Sequence, residues 1–233
     1  MTSTSSNRPA AVPATIGDAA RAAARLLDDA ALAGLPSPAT VCIDHYGAPS
    51  GDLHLTGHPA EYLRAWARHY DAPIDARPGP ERGTTYATAE WQRYGIPWQA
   101  GAIISPADEP APPSVPPQRT PRPPAGIIIR EPLTLALLAR RVAAELDAAA
   151  KDGLAPPASI RLHTYTRVPA AALLLPVTPG AAGITALTDW AGRAGTGIDA
   201  EPSDASPGEW RAAVEWRHDG IRYTLTSYIQ EDA

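Results

Sequence analysis

One ten-residue pattern occurs twice in this chain, and the repetition constrains the fold more than any other feature of the sequence. The stretch AEWQRYGIPW begins at Ala89, and VEWRHDGIRY begins at Val214. The match extends without gaps over residues 87–104 and 212–229, and each copy holds a Glu-Trp pair followed by an Ile. A fold for this chain must therefore accommodate the same local structure twice.

Two further blocks repeat in the same order upstream. LRAWARHYDAPIDA from Leu63 matches LTDWAGRAGTGIDA from Leu187, and GLPSPATVCIDHY from Gly34 matches GLAPPASIRLHTY from Gly153. Along the chain the three matches are offset by 119, 124 and 125 positions. This order predicts a tandem duplication of a unit of about 90 residues. Two copies are too few for a solenoid, which favours a pair of homologous domains.

Each repeat is predicted to open with a helix, at 18–33 and 133–151, because apolar residues recur at helical spacing and a glycine follows the end. Two strands come next, TVCIDHY and DLHLT in the first repeat and SIRLHTY and ALLLPV in the second. A second helix then carries Trp66 or Trp190. With a closing hairpin, the pattern predicts an α+β fold. Each αββαββ unit would have a four-stranded, mainly antiparallel sheet with two helices on one face.

The repeated pattern itself is predicted to form that closing hairpin. Asp-Gly at 219–220 is a type I′ turn signal, and Tyr-Gly at 94–95 is its weaker counterpart. These turns create two cross-strand aromatic pairs, Trp216 with Tyr223 and Trp91 with Trp98. Because Trp91 and Trp216 share the strand face of small apolar residues, we expect both indoles to lie in the core.

The predicted organisation has four parts: a disordered tail at 1–17, a first α+β repeat at 18–104, a proline-rich linker at 105–125 and a second α+β repeat at 126–233. The linker is dense in proline and has no periodicity, which is typical of an extended spacer. The stretch GIIIREP at 126–132 is predicted to be an extra strand of the second repeat. We expect each half to have its own core.

Charge and composition narrow the function classes. A net charge of -5 disfavours a general polyanion binder, because nucleic-acid affinity depends largely on phosphate neutralisation. Cys42 is the only cysteine, so no intrachain disulfide forms, which fits a cytoplasmic location. No apolar run approaches the roughly 18 residues of a membrane span, and the N-terminal stretch lacks the apolar segment of a secretory signal. We therefore expect a cytoplasmic protein with no membrane association.

The first repeat concentrates reactive side chains around one hairpin: Cys42, Asp44, His45, Asp52, His54 and His58. Such groups bind zinc, but their spacing matches no zinc signature, and the second repeat has Arg161 and His163 in place of Cys42 and Asp44. A Cys42 nucleophile with His54 as its base lacks a flanking glycine elbow or helix N-terminus. We predict no catalytic residue, metal or cofactor. An enzyme centred on Cys42, His54 and Asp44 stays an alternative.

The second repeat offers a more suggestive surface. Strand alternation places one basic set on the outward face: Arg161, His163, Arg211, Arg217 and Arg222. The matching face of the first repeat carries Asp44, Glu90, Gln92 and Gln99. Arginine suits bidentate contact with phosphate or carboxylate, so the basic set holds the candidate ligand-binding residues. An ordinary charged face, with Glu209 and Glu215 interspersed, is the alternative interpretation.

The DGI turn with its alternating strand residues and the helical stretch LTDWAGRAG resemble those of small uncharacterised α+β proteins of streptomycete-like genomes, plasmids and phages. The likeness covers most of each repeat. Lys151 is the only lysine among the 20 basic residues, which is typical of high-GC actinobacterial genomes. The resemblance implies no known activity.

Together these features favour non-catalytic binding or assembly. Two similar surfaces joined by a short linker raise their effective concentration on a bivalent partner. The expected partner is a protein or a second copy of the chain. Binding of nucleic acid or another anionic ligand on the arginine face is the first alternative, which the net charge disfavours, and an enzyme is the second.

Overall fold

The computed structural model of the protein describes residues 13–105, 134–164, 168–176, 181–204 and 208–230. In the first part the elements are α1 (Ile16–Leu32), β1 (Thr40–Asp44), β2 (Ser50–His54), α2 (Pro59–His69), β3 (Ile74–Pro78), β4 (Thr85–Arg93) and β5 (Ile96–Ile104). In the second part they are α3 (Leu135–Lys151), β6 (Ser159–His163), β7 (Ala170–Leu174), α4 (Ala181–Ala194), β8 (Ile198–Pro202), β9 (Glu209–His218) and β10 (Ile221–Gln230). Most of the predicted tail and linker, and the predicted strand at 126–132, lie outside the described residues.

All ten strands form one mixed sheet, in the order β3-β4-β5-β2-β1-β6-β7-β10-β9-β8. The two halves meet at its centre, where β1 and β6 pair antiparallel and Val41 lies opposite Leu162. From this junction outward each half repeats one arrangement. An antiparallel hairpin pairs in parallel with the last strand of its half, as β2 does with β5 and β7 with β10. The α+β class is confirmed, with both parts in a single sheet.

The prediction of two four-stranded sheets is wrong in two respects. Among the described residues each part contributes five strands, and the ten strands are continuous across the centre. The additional strands, β3 and β8, lie at the two edges, and all five residues of each are exposed. Because neither has a buried face, neither shows the apolar alternation by which strands are recognised in a sequence. Both end in proline, which sheets tolerate at an edge.

The apolar core lies on one face of the sheet. One row of register partners buried on this face runs Ala89, Ala100, Leu53, Val41, Leu162, Ala171 and Tyr223. Buried residues from α1, α2, α3 and α4 belong to the same apolar cluster as these strand residues. The four helices therefore cover one face. We call the opposite side the open face, and no described helix covers it.

Helices α1 and α3 pack against each other over the central junction. Alanine supplies most of their buried contacts, which lets the two backbones approach closely. Helix α1 begins at Ile16, two residues before the predicted start, because Thr15 and Asp18 form a capping box there. At the rim of this contact Arg21 pairs with Asp147 at 2.5 Å. The two halves thus share a core in addition to a sheet.

The repeated pattern forms a hairpin in both halves, as predicted. Asp219 and Gly220 have φ of 50° and 77°, and Tyr94 and Gly95 have φ of 54° and 74°. Positive φ at both central residues is the signature of a type I′ turn. The register places Trp216 opposite Tyr223 and Trp91 opposite Trp98, which confirms both predicted aromatic pairs.

No described helix is both long enough and apolar enough to cross a membrane.

Candidate binding sites on the two faces of the sheet

Four of the five predicted basic residues lie in one region of the open face. His163 on β6, Arg222 on β10 and Arg217 on β9 occupy one row across the strands, with Ala170 of β7 between the first two. Arg161 lies one row away on β6. We call Arg161, His163, Arg217 and Arg222 the arginine cluster. Strand β7 separates β6 from β10, so the cluster spreads over four strands.

One carboxylate lies within the region of the arginine cluster: Glu215 on β9 is in the row of Arg161 and accepts a hydrogen bond from Thr224. Arg161, Arg217 and Arg222 form no ion pair with any other residue in the described ranges. The pKa of His163 is lowered by burial and by the guanidiniums of Arg222 and Arg161. Both arginines therefore act on one imidazole, which stays neutral at neutral pH. The buried Nε of Arg222 has no hydrogen-bond partner among the described residues.

Arg211 does not belong with the other four. It lies six positions before Arg217 on β9, a distance of about 20 Å along an extended strand. Its guanidinium pairs with Glu201 on the neighbouring strand β8 at 2.6 Å. The structure thus groups four of the predicted ligand-binding residues and places the fifth in an exposed ion pair at the edge.

The same face of the first part is acidic. Asp52, Gln99 and Glu90 follow one another in the row that contains Cys42 and Arg161. Burial, and after it the neighbouring Asp44, raises the pKa of Asp52 above its ordinary value. Across the central pair β1–β6 the open face therefore changes from this acidic row to the arginine cluster, with Glu215 and Glu201 farther out on β9 and β8.

The structure separates two residues of the alternative enzyme site. Asp44 and His54 lie at opposite ends of the β1–β2 hairpin, because Asp44 pairs with Ser50 and His54 with Thr40. Burial raises the pKa of the Cys42 thiol, and the Arg161 guanidinium opposes this effect only in part. The thiol is thus protonated and weakly nucleophilic at neutral pH. Within the described ranges no group of three or more His, Cys, Asp and Glu side chains is placed to hold a metal ion.

A second candidate site lies on the helical face, and sequence reasoning missed it. A cavity of about 330 Å³ is lined by Glu145, Trp190, Arg193, Ala194, Trp216, Arg217 and His218. These residues come from α3, from α4 and from the last three positions of β9. The cavity is open to solvent at the hairpin end, where the exposed His218 lies.

The floor of this cavity is aromatic. The rings of Trp190 and Trp216 have centroids 5.7 Å apart, and Trp216 stacks on Tyr223 at 5.1 Å with an angle of 9°. Trp216 is half-buried, in contrast to the buried Trp91 of the first part. The expectation that both indoles are core residues is therefore met at Trp91 and only in part at Trp216.

The wall of the cavity holds a buried carboxylate. Glu145 is only 8% exposed, and its two oxygens contact Arg193 at 3.2 Å and His218 Nδ1 at 3.0 Å. Arg193 also pairs with Asp152. A buried glutamate is rare unless it is paired, and here pairing holds it beside the aromatic floor. A signal for the site exists in the aligned blocks, where Tyr70 of the first repeat stands opposite Ala194.

No family model, curated protein or solved structure matches the chain. Its function must therefore be argued from the geometry of these two sites.

Proposed function

We propose that the protein is a non-catalytic, cytoplasmic binding protein, built by tandem duplication, that recognises an acidic surface of a partner protein through its arginine cluster. The observation that carries the proposal is the concentration of Arg161, Arg217 and Arg222 on the open face without an ion pair to any other described residue. A bound carboxylate would supply the missing compensation.

Packing does not require this arrangement. Arg217 and Arg222 are directly opposite each other on β9 and β10, and like charges in that position destabilise a sheet. The corresponding positions of the first repeat, Gln92 and Pro97, carry no charge. A feature that lowers stability in one repeat and is absent from the other is best explained by a binding role. Guanidinium groups match carboxylates in bidentate geometry.

An acidic protein surface fits this site better than nucleic acid does. The basic region is short, and Asp44, Asp52 and Glu90 continue the open face beyond it. A polyanion long enough to cross the sheet would meet these carboxylates, and the net charge of -5 opposes it further. A partner that places a few carboxylates over the arginine cluster avoids both sources of repulsion.

Self-association is a second candidate, favoured by the change of charge across the open face. In a face-to-face dimer with its two-fold axis parallel to the central strands, the arginine cluster of one copy lies over Asp44, Asp52 and Glu90 of the other. Such an interface is isologous and closed. The same arginines would then form the assembly contact.

The proposal is tested with a double variant that leaves the helical face untouched. We expect Arg161→Ala with Arg222→Ala to weaken binding of a polyglutamate peptide at least about tenfold, since two charge-assisted contacts are removed. Arg64→Ala with Arg68→Ala removes the same charge from exposed positions of α2 and serves as the control. Binding is measured by titration at about 50 mM and about 200 mM salt.

The outcomes separate the candidates. Equal loss in the two double variants would reduce the effect to net charge and contradict the proposal. Binding of oligothymidylate in preference to polyglutamate would favour the nucleic-acid alternative. A dimer in sedimentation that dissociates only when Arg161 and Arg222 are replaced would favour self-association.

A further inference from the structure

The geometry points to a small-molecule site on the helical face: we propose that the cavity beside Trp216 binds a planar aromatic acid, whose ring packs against Trp216 where Tyr70 packs against Trp91 in the first repeat. This inference is independent of the proposed function, because the cavity and the arginine cluster lie on opposite faces of the sheet. Arg217, at the hairpin end of β9, is the one residue that borders both.

The two repeats hold their aromatic sites in the same frame. Trp66 donates its indole N–H to the carbonyl of Pro36 at 3.0 Å, and Trp190 donates to the carbonyl of Ala155 at 3.0 Å. The ring centroids of Trp66 and Trp91 are 5.8 Å apart, and those of Trp190 and Trp216 are 5.7 Å apart. A difference between the sites therefore comes from the side chains around these tryptophans.

In the first repeat a tyrosine fills the site. Tyr70 stacks on Trp91 with centroids 4.7 Å apart and an angle of 2°, and it also stacks on Trp66. The residue aligned with Tyr70 in the second repeat is Ala194, which lines the cavity. The missing phenol ring leaves open the space beside Trp216. The cavity thus lies where the first repeat holds an aromatic ring.

A second difference makes the open site polar. The offset of 119 positions, which also relates the start of α1 to that of α3, aligns Glu145 with Leu26, which is fully buried in the first repeat. A buried carboxylate in place of leucine is unfavourable for folding unless paired, and Glu145 depends on Arg193 and His218 for its partners. In the first repeat the ring of Tyr70 therefore fills the site, whereas the second repeat has an open cavity beside the paired carboxylate of Glu145. The second repeat thus differs from the first at two positions around one cavity, Ala194 and Glu145. A ligand site explains both differences together, whereas a packing defect would explain only the missing ring.

The lining specifies the ligand. A volume of about 330 Å³ accommodates one ring system with a short substituent. Glu145, the lining carboxylate, is already engaged by Arg193 and His218, whereas Arg217 forms no ion pair with another described residue, so the cavity favours a negative substituent over a positive one. A ring with a carboxylate or phosphate on a short arm meets both conditions, with the ring against Trp216 and the anion at the mouth.

A series of three para-substituted phenols tests the ring and the charge on the full-length chain. The probes are 4-hydroxyphenylacetate, p-cresol and tyramine, which share the phenol ring and carry negative, no and positive charge. We expect 4-hydroxyphenylacetate to bind at least about tenfold more tightly than tyramine, with p-cresol between them, by ligand-observed NMR titration. Failure of all three probes to bind, or tightest binding of tyramine, would overturn the proposal.

Two variants locate the binding. Ala194→Tyr supplies the ring that the first repeat already has, so it should abolish binding of 4-hydroxyphenylacetate, whereas Ala194→Ser keeps the cavity and should bind as the parent does. Unchanged binding by a folded Ala194→Tyr variant would overturn the proposal. Should that variant fail to fold, Glu145→Leu provides the second measurement. It removes the lining carboxylate and leaves Arg193 and Arg217 in place, so the preference for the acid over p-cresol should increase, and an unchanged preference would overturn the proposal.

Discussion

The two aromatic sites of this protein begin from the same pair of tryptophans and end in opposite states. In the first repeat Tyr70 stacks on Trp91 and closes the site, whereas in the second Ala194 leaves Trp216 half-buried beside a cavity. The hairpin, the second helix and the indole hydrogen bond are the same in both. The comparison teaches that each repeat keeps its pair of packed tryptophans. The residue at the position of Tyr70 and Ala194 then decides whether the site beside them is filled or open.

The largest expected effect tests whether Trp91 and Trp216 differ in burial energy. Trp91→Ala should lower the free energy of unfolding by about 3–5 kcal/mol, the usual range for a buried aromatic residue. Trp216→Ala should lower it by about half as much, because Trp216 already contacts solvent. Denaturant unfolding of the two variants measures both values. Equal losses would mean that the cavity beside Trp216 leaves its energetics unchanged.

A smaller effect is expected at the residue that closes the first site. Tyr70→Ala should lower the free energy of unfolding by about 2–3 kcal/mol, since it removes a ring that stacks on two indoles. Burial raises the pKa of Tyr70 to about 12, so its phenol is neutral in this role. Tyr62→Ala in α2, whose ring makes an edge contact with His58 and stacks on no indole among the described residues, is the control and should lose less. A loss no larger than that of the control would show that stacking on Trp91 does not stabilise the fold.

The smallest effect concerns pH and the open face, where His163 aligns with Asp44 of the first repeat. Burial and two arginines lower the pKa of His163 in the folded state. The unfolded chain therefore binds its proton at a higher pH, and stability declines as the pH falls from the ordinary value of about 6.5 through the folded pKa. His163→Gln should remove this decline, which we expect to be less than about 1 kcal/mol because solvent screens the charges around a partly exposed imidazole.

Thermal melts between neutral and acidic pH measure this difference. His54→Gln changes an exposed imidazole on the same face and is the control. Parallel pH profiles for the parent and His163→Gln would show that the arginines do not reach the imidazole. They would also remove one argument for the arginine cluster.

The sequence predicts those parts of the fold that depend on local pattern. The helices around Ala20 and Val142 and the type I′ turns at Gly95 and Gly220 follow from spacing and turn chemistry, and the structure confirms them. Strands β3 and β8 were missed because they are fully exposed and gain their place only by pairing with a neighbour. The joining of both halves into one sheet was missed for a related reason, since no local pattern specifies that β1 pairs with β6.

The candidate sites divide in the same way. Strand alternation predicts that Arg161 and Arg222 share a face, but it does not reveal that β7 separates their strands or that Arg211 pairs with Glu201. The cavity beside Trp216 is a property of missing volume. In the sequence, the cavity is indicated only by the alignment of Ala194 with Tyr70. That difference points to a cavity only once the structure shows that the Tyr70 ring stacks on Trp91 and fills the site.

The central pairing of β1 with β6 has a consequence for the order in which the protein folds. The hairpins β4–β5 and β9–β10 join neighbours in the chain, whereas Val41 and Leu162 meet after more than a hundred intervening residues. Contacts between distant segments require the closure of a long loop, which slows their formation. The middle of the sheet is therefore expected to form last, after the hairpins near its two edges. A nascent chain would expose the unpaired edge of β1 until synthesis has passed β6, and during that interval the edge can pair with a neighbouring chain.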